Sequence, residues 1–177
     1  MLEGHLPKTI DPRKLAKQHV SLKGGWPVAD LEQVANYLTN PEGEVEVDLA
    51  FTQDAEGHFV ISGQLVAQVQ MTCQRCLEPV TLGVTVEVLL AVVWSDESGK
   101  QLPDYLDPIV VADEHLSLAR LIDEELILNL PIVPAHEDPI CQPQMEWLDP
   151  DAVDDSTISE QPKNPFAVLA SLKKSKT

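Results

Sequence analysis

The clearest pattern in the sequence lies in residues 45–94, which read VEVDLAFTQDAEGHFVISGQLVAQVQMTCQRCLEPVTLGVTVEVLLAVVW. Apolar residues occupy alternate positions in three runs, and short polar segments separate the runs. A period of two is typical of strands that bury one face, and short turns join antiparallel neighbours. We therefore predict an antiparallel β-meander with one buried face, either open or partly closed.

Three flanking stretches are predicted to be helical, which gives an α+β fold class. The first is 10–16, with Asp11 as N-cap and proline at the first helical position. The second is 30–38, where apolar residues recur at i, i+3, i+4 and i+7. The third starts after Ser117, a favourable N-cap, and ends at Leu130 because a proline follows.

The third helix carries the acidic triplet Asp123, Glu124 and Glu125, which could suggest a catalytic pair. Consecutive helical residues are rotated by about 100°, so three neighbours cannot converge on one point. The expected role of the triplet is a solvated helix face.

The chain is predicted to have four parts. An N-terminal segment with short helices covers 1–44, and the meander with its helix and a possible Cys/His knuckle covers 45–145. An acidic linker of low apolar content covers 146–163 and serves as a tether to a basic helical motif at 164–177.

Charge is unevenly distributed along the chain. The formal net charge is −17, and residues 24–162 contain 27 acidic side chains against three basic ones. This composition excludes a general binder of the nucleic-acid backbone, which needs surplus Lys and Arg. It favours a basic protein partner, with RNA contacted indirectly or through the basic termini. Solubility alone is the alternative reason for such acidity.

Neither a membrane span nor a signal peptide is predicted. No run of about 18 apolar residues occurs, and the first residues, MLEGH, lack the charged-then-apolar pattern of a secretory signal. We expect a cytoplasmic protein that does not contact a membrane. The sequence does not indicate its oligomeric state.

Cys73 and Cys76 form the only motif that could carry chemistry, a CxxC at the turn between the second and third strands. Thiols at this spacing can approach a common centre, and His136 and Cys141 could complete a Cys₃His zinc site. Four protein ligands leave no open position, so such a site would be structural. Two alternatives remain open here: core packing of the thiols, and a thioredoxin-like redox pair.

No residue is predicted to be catalytic or to bind an organic cofactor. The chain has no P-loop, Rossmann fingerprint, HExxH motif or nucleophile elbow. We therefore predict a non-enzymatic protein, with structural zinc as its one candidate cofactor.

The C-terminal stretch NPFAVLASLKK, residues 164–174, has the pattern of a short capped amphipathic helix. Such a helix docks either on its own core or on a partner. The residues predicted to bind a partner are Asn164, Pro165, Phe166, Leu169, Leu172 and Lys173.

Three segments together resemble the bacterial YceD family, the large ribosomal RNA subunit accumulation proteins. They are CQRC at 73–76, EELIL at 124–128 with its continuation to His136, and NPFAVLASLK at 164–173. They occur in the family's order, and the resemblance covers nearly the whole chain. It implies a cytoplasmic, non-enzymatic factor needed for the synthesis, processing or stability of 23S ribosomal RNA.

The expected mechanism within this resemblance is docking. The acidic body would engage a basic protein of ribosome assembly or RNA processing, and the C-terminal helix would act as an apolar anchor. The alternative function from another class is a thiol-redox or metal-dependent enzyme centred on Cys73 and Cys76.

Overall fold

A computed structural model describes residues 2–3, 6–137 and 141 of the 177-residue chain. The chain divides into two compact units, Met1–Pro143 and Gln144–Thr177. The described residues belong to the first unit. The predicted linker at 146–163 and the predicted helix at 164–177 therefore lie outside them.

The elements follow one another along the chain as strands with short helices between them. In order they are β1 (Leu2–Glu3), β2 (Thr9–Ile10), α1 (Pro12–Lys17), β3 (Ser21–Pro27), a 3₁₀ turn (Val28–Asp30), α2 (Glu32–Ala35), β4 (Glu44–Gln53), β5 (Phe59–Thr72), β6 (Pro79–Val93), α3 (Asp96–Gly99), β7 (Asp107–Val110), β8 (Leu116–Ser117) and α4 (Leu118–Asn129).

The main sheet has six strands in the order β1-β3-β4-β5-β6-β7. Strands β3 to β6 pair in antiparallel fashion, whereas β1 and β7 pair in parallel at the two edges. Strands β2 and β8 form a separate two-stranded ribbon. The predicted α+β class and antiparallel meander are confirmed, and the sheet is open.

The register of the meander places the apolar residues of neighbouring strands side by side. Val47 pairs with Leu65, and Leu65 pairs with Val86. All three are buried, whereas Glu46 and Thr85, on the other face, are exposed. Because side chains alternate between faces, one register buries a complete apolar face and leaves the other polar. Helices α1 and α4 contact the strands of this sheet.

Gly63 interrupts the apolar positions of β5 for a steric reason. Its φ is +149°, and a Cβ there would collide with the backbone carbonyl of Asp48 on β4. Only glycine permits this close approach of two strands.

The helices at 10–16 and 117–130 are largely as predicted. Asp11 caps α1 and Ser117 caps α4, each accepting a hydrogen bond from a backbone N–H three residues later. The predicted helix at 30–38 is shorter, because the chain first forms the 3₁₀ turn and α2 ends at Ala35.

Asp123 of α4 is buried, so the prediction of a solvated acidic triplet is wrong at this position. Its carboxylate accepts hydrogen bonds from the backbone N–H groups of Gln33 and Val34, at 3.0 and 2.9 Å. These groups belong to the first turn of α2, which lacks a side-chain cap of its own. Asp123 therefore caps a helix that is remote in sequence.

Strand β3 in the N-terminal segment was not predicted. The sequence analysis placed only helices in 1–44, yet Ser21–Pro27 pairs with β4 along its whole length. Two glycines and a proline give this segment a low strand propensity, and the hydrogen bonds with β4 outweigh that low propensity. The predicted domain boundaries are not tested by these observations.

Arg13 of α1 is 7% exposed and ties the end of β6 to the segment after β7. Its guanidinium donates to the carbonyl oxygens of Val111 at 2.5 Å and Asp113 at 2.8 Å, with a longer contact to Val93 at 3.4 Å. It also lies 3.1 Å from the centroid of the Trp94 ring. We call this arrangement the Arg13 clamp.

Candidate metal centre

Cys73 and Cys76 lie in a tight turn between β5 and β6. The N–H of Leu77 donates to the Cys73 carbonyl, and the N–H of Cys73 donates to the Glu78 carbonyl, both at 2.9 Å. Leu77 has a φ of +64°, which reverses the chain after the second cysteine. The turn brings both thiols to the same end of the sheet.

The segment that follows α4 returns to this turn and is held there by hydrogen bonds. The Gln74 N–H donates to the Pro134 carbonyl at 2.8 Å, and the Arg75 guanidinium donates to the His136 carbonyl. Residues about 60 positions apart are thereby fixed side by side. Neither bond involves a thiol.

Cys73, Cys76, His136 and Cys141 meet at this point, with their candidate ligand atoms within 4.8 Å of one another. The Cys73 and Cys141 Sγ atoms are 3.6 Å apart, and His136 Nδ1 is 3.4 Å from the Sγ atoms of both Cys76 and Cys141. Usual zinc bond lengths around a tetrahedron give about 3.8 Å between two sulfurs and about 3.5 Å between sulfur and nitrogen. We call these four residues the thiol cluster, and the three distances just given are close to those of a tetrahedral site.

The imidazole of His136 is oriented by the protein. Its Nε2 lies 3.1 Å from the carbonyl oxygen of Pro79, the first residue of β6. A carbonyl only accepts, so Nε2 carries the proton and Nδ1 presents a lone pair to the sulfurs. This second hydrogen bond is the usual support of a metal-binding histidine.

The thiols differ in acidity. Burial raises the pKa of Cys73, but backbone hydrogen bonds from Cys76, Arg75 and His136 and a side-chain bond from Cys141 outweigh it and bring the pKa to about 5. Burial and the neighbouring Cys76 and Cys73 raise the pKa of Cys141 to about 11. Negative charge therefore collects on Cys73, where a cation would be attracted.

The structure brings together all four residues that the sequence analysis named as metal ligands. Cys73 is 0% exposed, so this side chain is also packed in the protein interior, as the core-packing alternative predicts. A redox thiol must be reached by its substrate, and this burial weighs against that alternative. The predicted partner-binding residues Asn164, Pro165, Phe166, Leu169, Leu172 and Lys173 lie outside the described residues.

Two supporting residues were missed from the sequence. Arg75 lies inside the CxxC motif and holds the His136 segment, and Pro79 orients the imidazole. A cation within the motif was a visible signal for the first. The second acts through its backbone carbonyl, which no residue type reveals.

Comparison with known sequences places these residues in a family. The sequence model described as "Large ribosomal RNA subunit accumulation protein YceD" matches residues 61–173, which include the whole thiol cluster. The chain belongs to the YceD family. The resemblance in the sequence analysis is thus confirmed.

A curated YceD protein extends the match over almost the full length. The large ribosomal RNA subunit accumulation protein YceD of Haemophilus influenzae is 32% identical over 173 residues, which cover 95% of this chain and 96% of the relative. No solved structure gives a significant match. Among the described residues of the chain, no helix is long and apolar enough to cross a membrane.

Proposed function

We propose that this chain is a non-enzymatic, cytoplasmic factor for the accumulation of the large ribosomal subunit RNA, acting on the synthesis, processing or stability of 23S ribosomal RNA. Membership of the YceD family and the 32% identical relative named for this role support the general part. The finer part, docking of an acidic protein onto a basic partner, rests on the charge distribution.

The solvent face of the sheet is the observation that carries the docking proposal. Glu44, Glu46 and Asp48 follow one another along the exposed side of β4, and Glu87 lies on β6 across from Gln64. Lys23 pairs with Asp48 at 2.6 Å on the same face. A broad surface of carboxylates attracts basic ribosomal or RNA-processing proteins and repels RNA.

The salt dependence of partner capture tests this proposal. Affinity-tagged full-length chain should retain a basic partner from lysate at low salt and release most of it at high salt, because exposed charges are screened. A variant with Glu44, Glu46 and Asp48 changed to Gln or Asn should retain less. Retention that is independent of both salt and these substitutions would contradict charge-steered docking.

Direct RNA contact through the basic termini is the rival within this function. Five basic residues lie in 1–23, four lysines lie in 163–177, and together they offer a small phosphate-binding surface. Replacing the terminal lysines by glutamine separates the two. Loss of RNA with retention of protein partners supports direct contact, and unchanged RNA recovery removes it.

We further propose that the thiol cluster binds one zinc ion in a structural role. The ligand spacing and the oriented His136 support this, and four protein ligands leave no position for substrate. Elemental analysis should give one zinc per chain, lost in Cys73→Ser and in His136→Ala. His115→Ala is the matched control, since His115 is exposed and remote from the cluster in sequence.

The alternative enzyme function makes a different prediction for the same protein. A thiol-redox enzyme would contain no metal and would cycle a dithiol between Cys73 and Cys76 with a measurable potential. Metal-free protein that reduces a disulfide substrate catalytically, with loss of activity in Cys76→Ser, would replace the structural-zinc proposal.

The C-terminal segment completes the proposal as a partner anchor. In the helix predicted from the sequence, Phe166, Leu169 and Leu172 would supply the apolar face and Lys173 the charge for docking in a groove. A chain ending at Glu160 should capture fewer partners than the full chain. Identical partner sets would assign the segment to the protein's own fold.

A further inference from the structure

An apolar groove lies beside the thiol cluster and is open to solvent. It has a volume of about 520 Å³, and its lining includes the apolar Met71 and Ile127 beside the polar Asn36, Thr72 and Gln74. One wall consists of Leu130, Pro131, Ile132 and Pro134, which precede His136 of the cluster along the chain. We call this cavity the apolar groove.

Large apolar side chains around the groove are left exposed. Ile132 is 97% exposed, and Tyr37, which also lines the groove, is 61% exposed. Leu128, which follows the lining residue Ile127 on α4, is 79% exposed. Exposed aliphatic groups in one neighbourhood are costly for a free protein and mark a binding surface. Leu77, at the tip of the cysteine turn, and Val133 are exposed as well.

The polar surroundings of the groove restrict what it can bind. No Lys or Arg is among the described residues that line it, and the exposed Glu78 and Glu137 adjoin the cysteine turn and His136. RNA and anionic lipid need cations here, so both are disfavoured. A second copy of this chain would bring a like net charge of −17 against it.

We propose that the apolar groove binds a basic amphipathic helix of the partner protein. The apolar stripe of such a helix fills the groove, and its Lys and Arg side chains face the carboxylates around it. This inference rests on the docking function proposed above and assigns that function a site.

Hydrogen bonds to the cysteine turn hold one wall of the groove in place, and the thiol cluster adds a further attachment through His136. Pro134 accepts the Gln74 N–H and His136 accepts from Arg75, so the wall between them is attached to the cysteine turn. Because His136 is also a cluster member, removal of metal should loosen this wall and weaken helix binding severalfold.

Fluorescence anisotropy with labelled peptides and the zinc-loaded full-length protein tests the inference. The probe is an 18-residue helix with leucine at i, i+3, i+4 and i+7 and lysine elsewhere. One comparison peptide has glutamate in place of lysine, and another has the same residues with the leucines scattered around the helix. The lysine probe should bind about tenfold more tightly than either.

Substitutions then locate the binding. Tyr37→Ser combined with Ile132→Ser should weaken the lysine probe about tenfold, whereas Tyr105→Ser, an exposed aromatic outside the groove lining, should change it less than twofold. Unchanged urea midpoints would show that the variants are folded.

Three results would overturn the groove assignment: no binding of the lysine probe, equal binding of the scattered peptide, or full affinity in the double variant. Partner capture from lysate distinguishes this failure from failure of the docking function. If the double variant still captures the basic partner in a salt-dependent way, the proposed docking function is retained and only its assignment to the groove is wrong.

Discussion

The two ends of strand β6 are fastened by different chemistry. At its first residue, the Pro79 carbonyl faces His136 of the thiol cluster at 3.1 Å. At its last residue, the Val93 carbonyl faces the Arg13 clamp. Each end secures a segment that is remote in sequence, and in both cases a backbone carbonyl of the strand takes part.

The difference lies in the conditions under which each fastening works. Burial lowers the pKa of Arg13, with Asp11, Asp113 and Glu114 opposing the shift, and a guanidinium stays protonated throughout the physiological range. The Arg13 clamp is therefore permanent. The thiol cluster can bind metal only while its sulfurs are reduced, and the half-buried Cys76 and Cys141 are accessible to oxidants, so its strength depends on the surroundings. The attachment at the Val93 end therefore does not depend on conditions, whereas the attachment at the Pro79 end depends on metal and on the redox state of the thiols.

The largest effect that separates the two ends should come from metal removal. The free energy of unfolding should fall by about 4 kcal/mol when a chelator removes zinc that had been present at a thousandfold excess over its Kd. Cys73→Ser should abolish the difference, and His115→Ala should preserve it. Urea unfolding of full-length protein with and without chelator measures this. Equal stability in both conditions would show that the cluster is only packed thiols.

Arg13→Ala should cost about 3 kcal/mol, because it removes the donor to the buried carbonyl of Val111 and the part-buried carbonyl of Asp113, and the cation that lies against the exposed Trp94 ring. Arg13→Lys should recover less than half of the loss, since a point charge cannot serve several acceptors in a fork. Lys14→Ala, on the exposed side of the same helix, should change stability by less than about 0.5 kcal/mol. A chelator should lower the free energy of unfolding of all three variants by the same amount as in the parent chain. A different decrease would show that the Arg13 clamp and the thiol cluster are energetically coupled.

A further buried contact between segments remote in sequence is made by Asp123 of α4. Asp123→Ala should lower stability by about 2 kcal/mol, because the first turn of α2 loses its acceptor. Hydrogen exchange should accelerate at the amides of Gln33 and Val34. Glu124→Ala removes only an exposed ion pair with Arg120 and should cost about 0.5 kcal/mol. Equal effects of the two substitutions would argue against remote capping.

The smallest expected effect concerns the cysteine turn itself. Leu77 has a positive φ that costs about 1 kcal/mol for a residue with a side chain. Leu77→Gly relieves this cost but loosens the unfolded chain, so a net gain of about 0.5 kcal/mol is expected. Gln74→Gly, in the same turn without a positive φ, should instead destabilise. Thermal unfolding of the zinc-loaded protein compares the two.

The sequence was sufficient where the determining interactions are periodic or local. Alternating apolar residues from Val45 onward predicted β4, β5 and β6, and Asp11 and Ser117 marked the starts of α1 and α4. Spacing and residue chemistry also named the four members of the thiol cluster, although nothing in the sequence measured their distances. Periodicity and capping act over a few residues, so they can be read directly.

What could not be predicted depends on groups far apart in the chain. Strand β3 forms because β4 offers a pairing partner, despite Gly24 and Gly25. Asp123 is buried because the N-terminus of α2 needs an acceptor, about 90 residues away. Arg13 satisfies carbonyls that only the folded sheet brings within reach. In each case the deciding interaction is a hydrogen bond with a backbone group far away in the chain, and backbone groups are the same for nearly every residue type.

The two outer strands of the open sheet, β1 and β7, cover only part of the strands they pair with. Edge strand β1 has two residues, and edge strand β7 has four, one of which is Pro108. A free edge recruits other chains when it presents a long row of unpaired N–H and C=O groups, and proline has no N–H to offer. Because β7 pairs only with the last four residues of β6, the rest of β6 has no strand partner on that side among the described residues. Pro79 at its start and the charged Glu87 within it disfavour the addition of a further strand there.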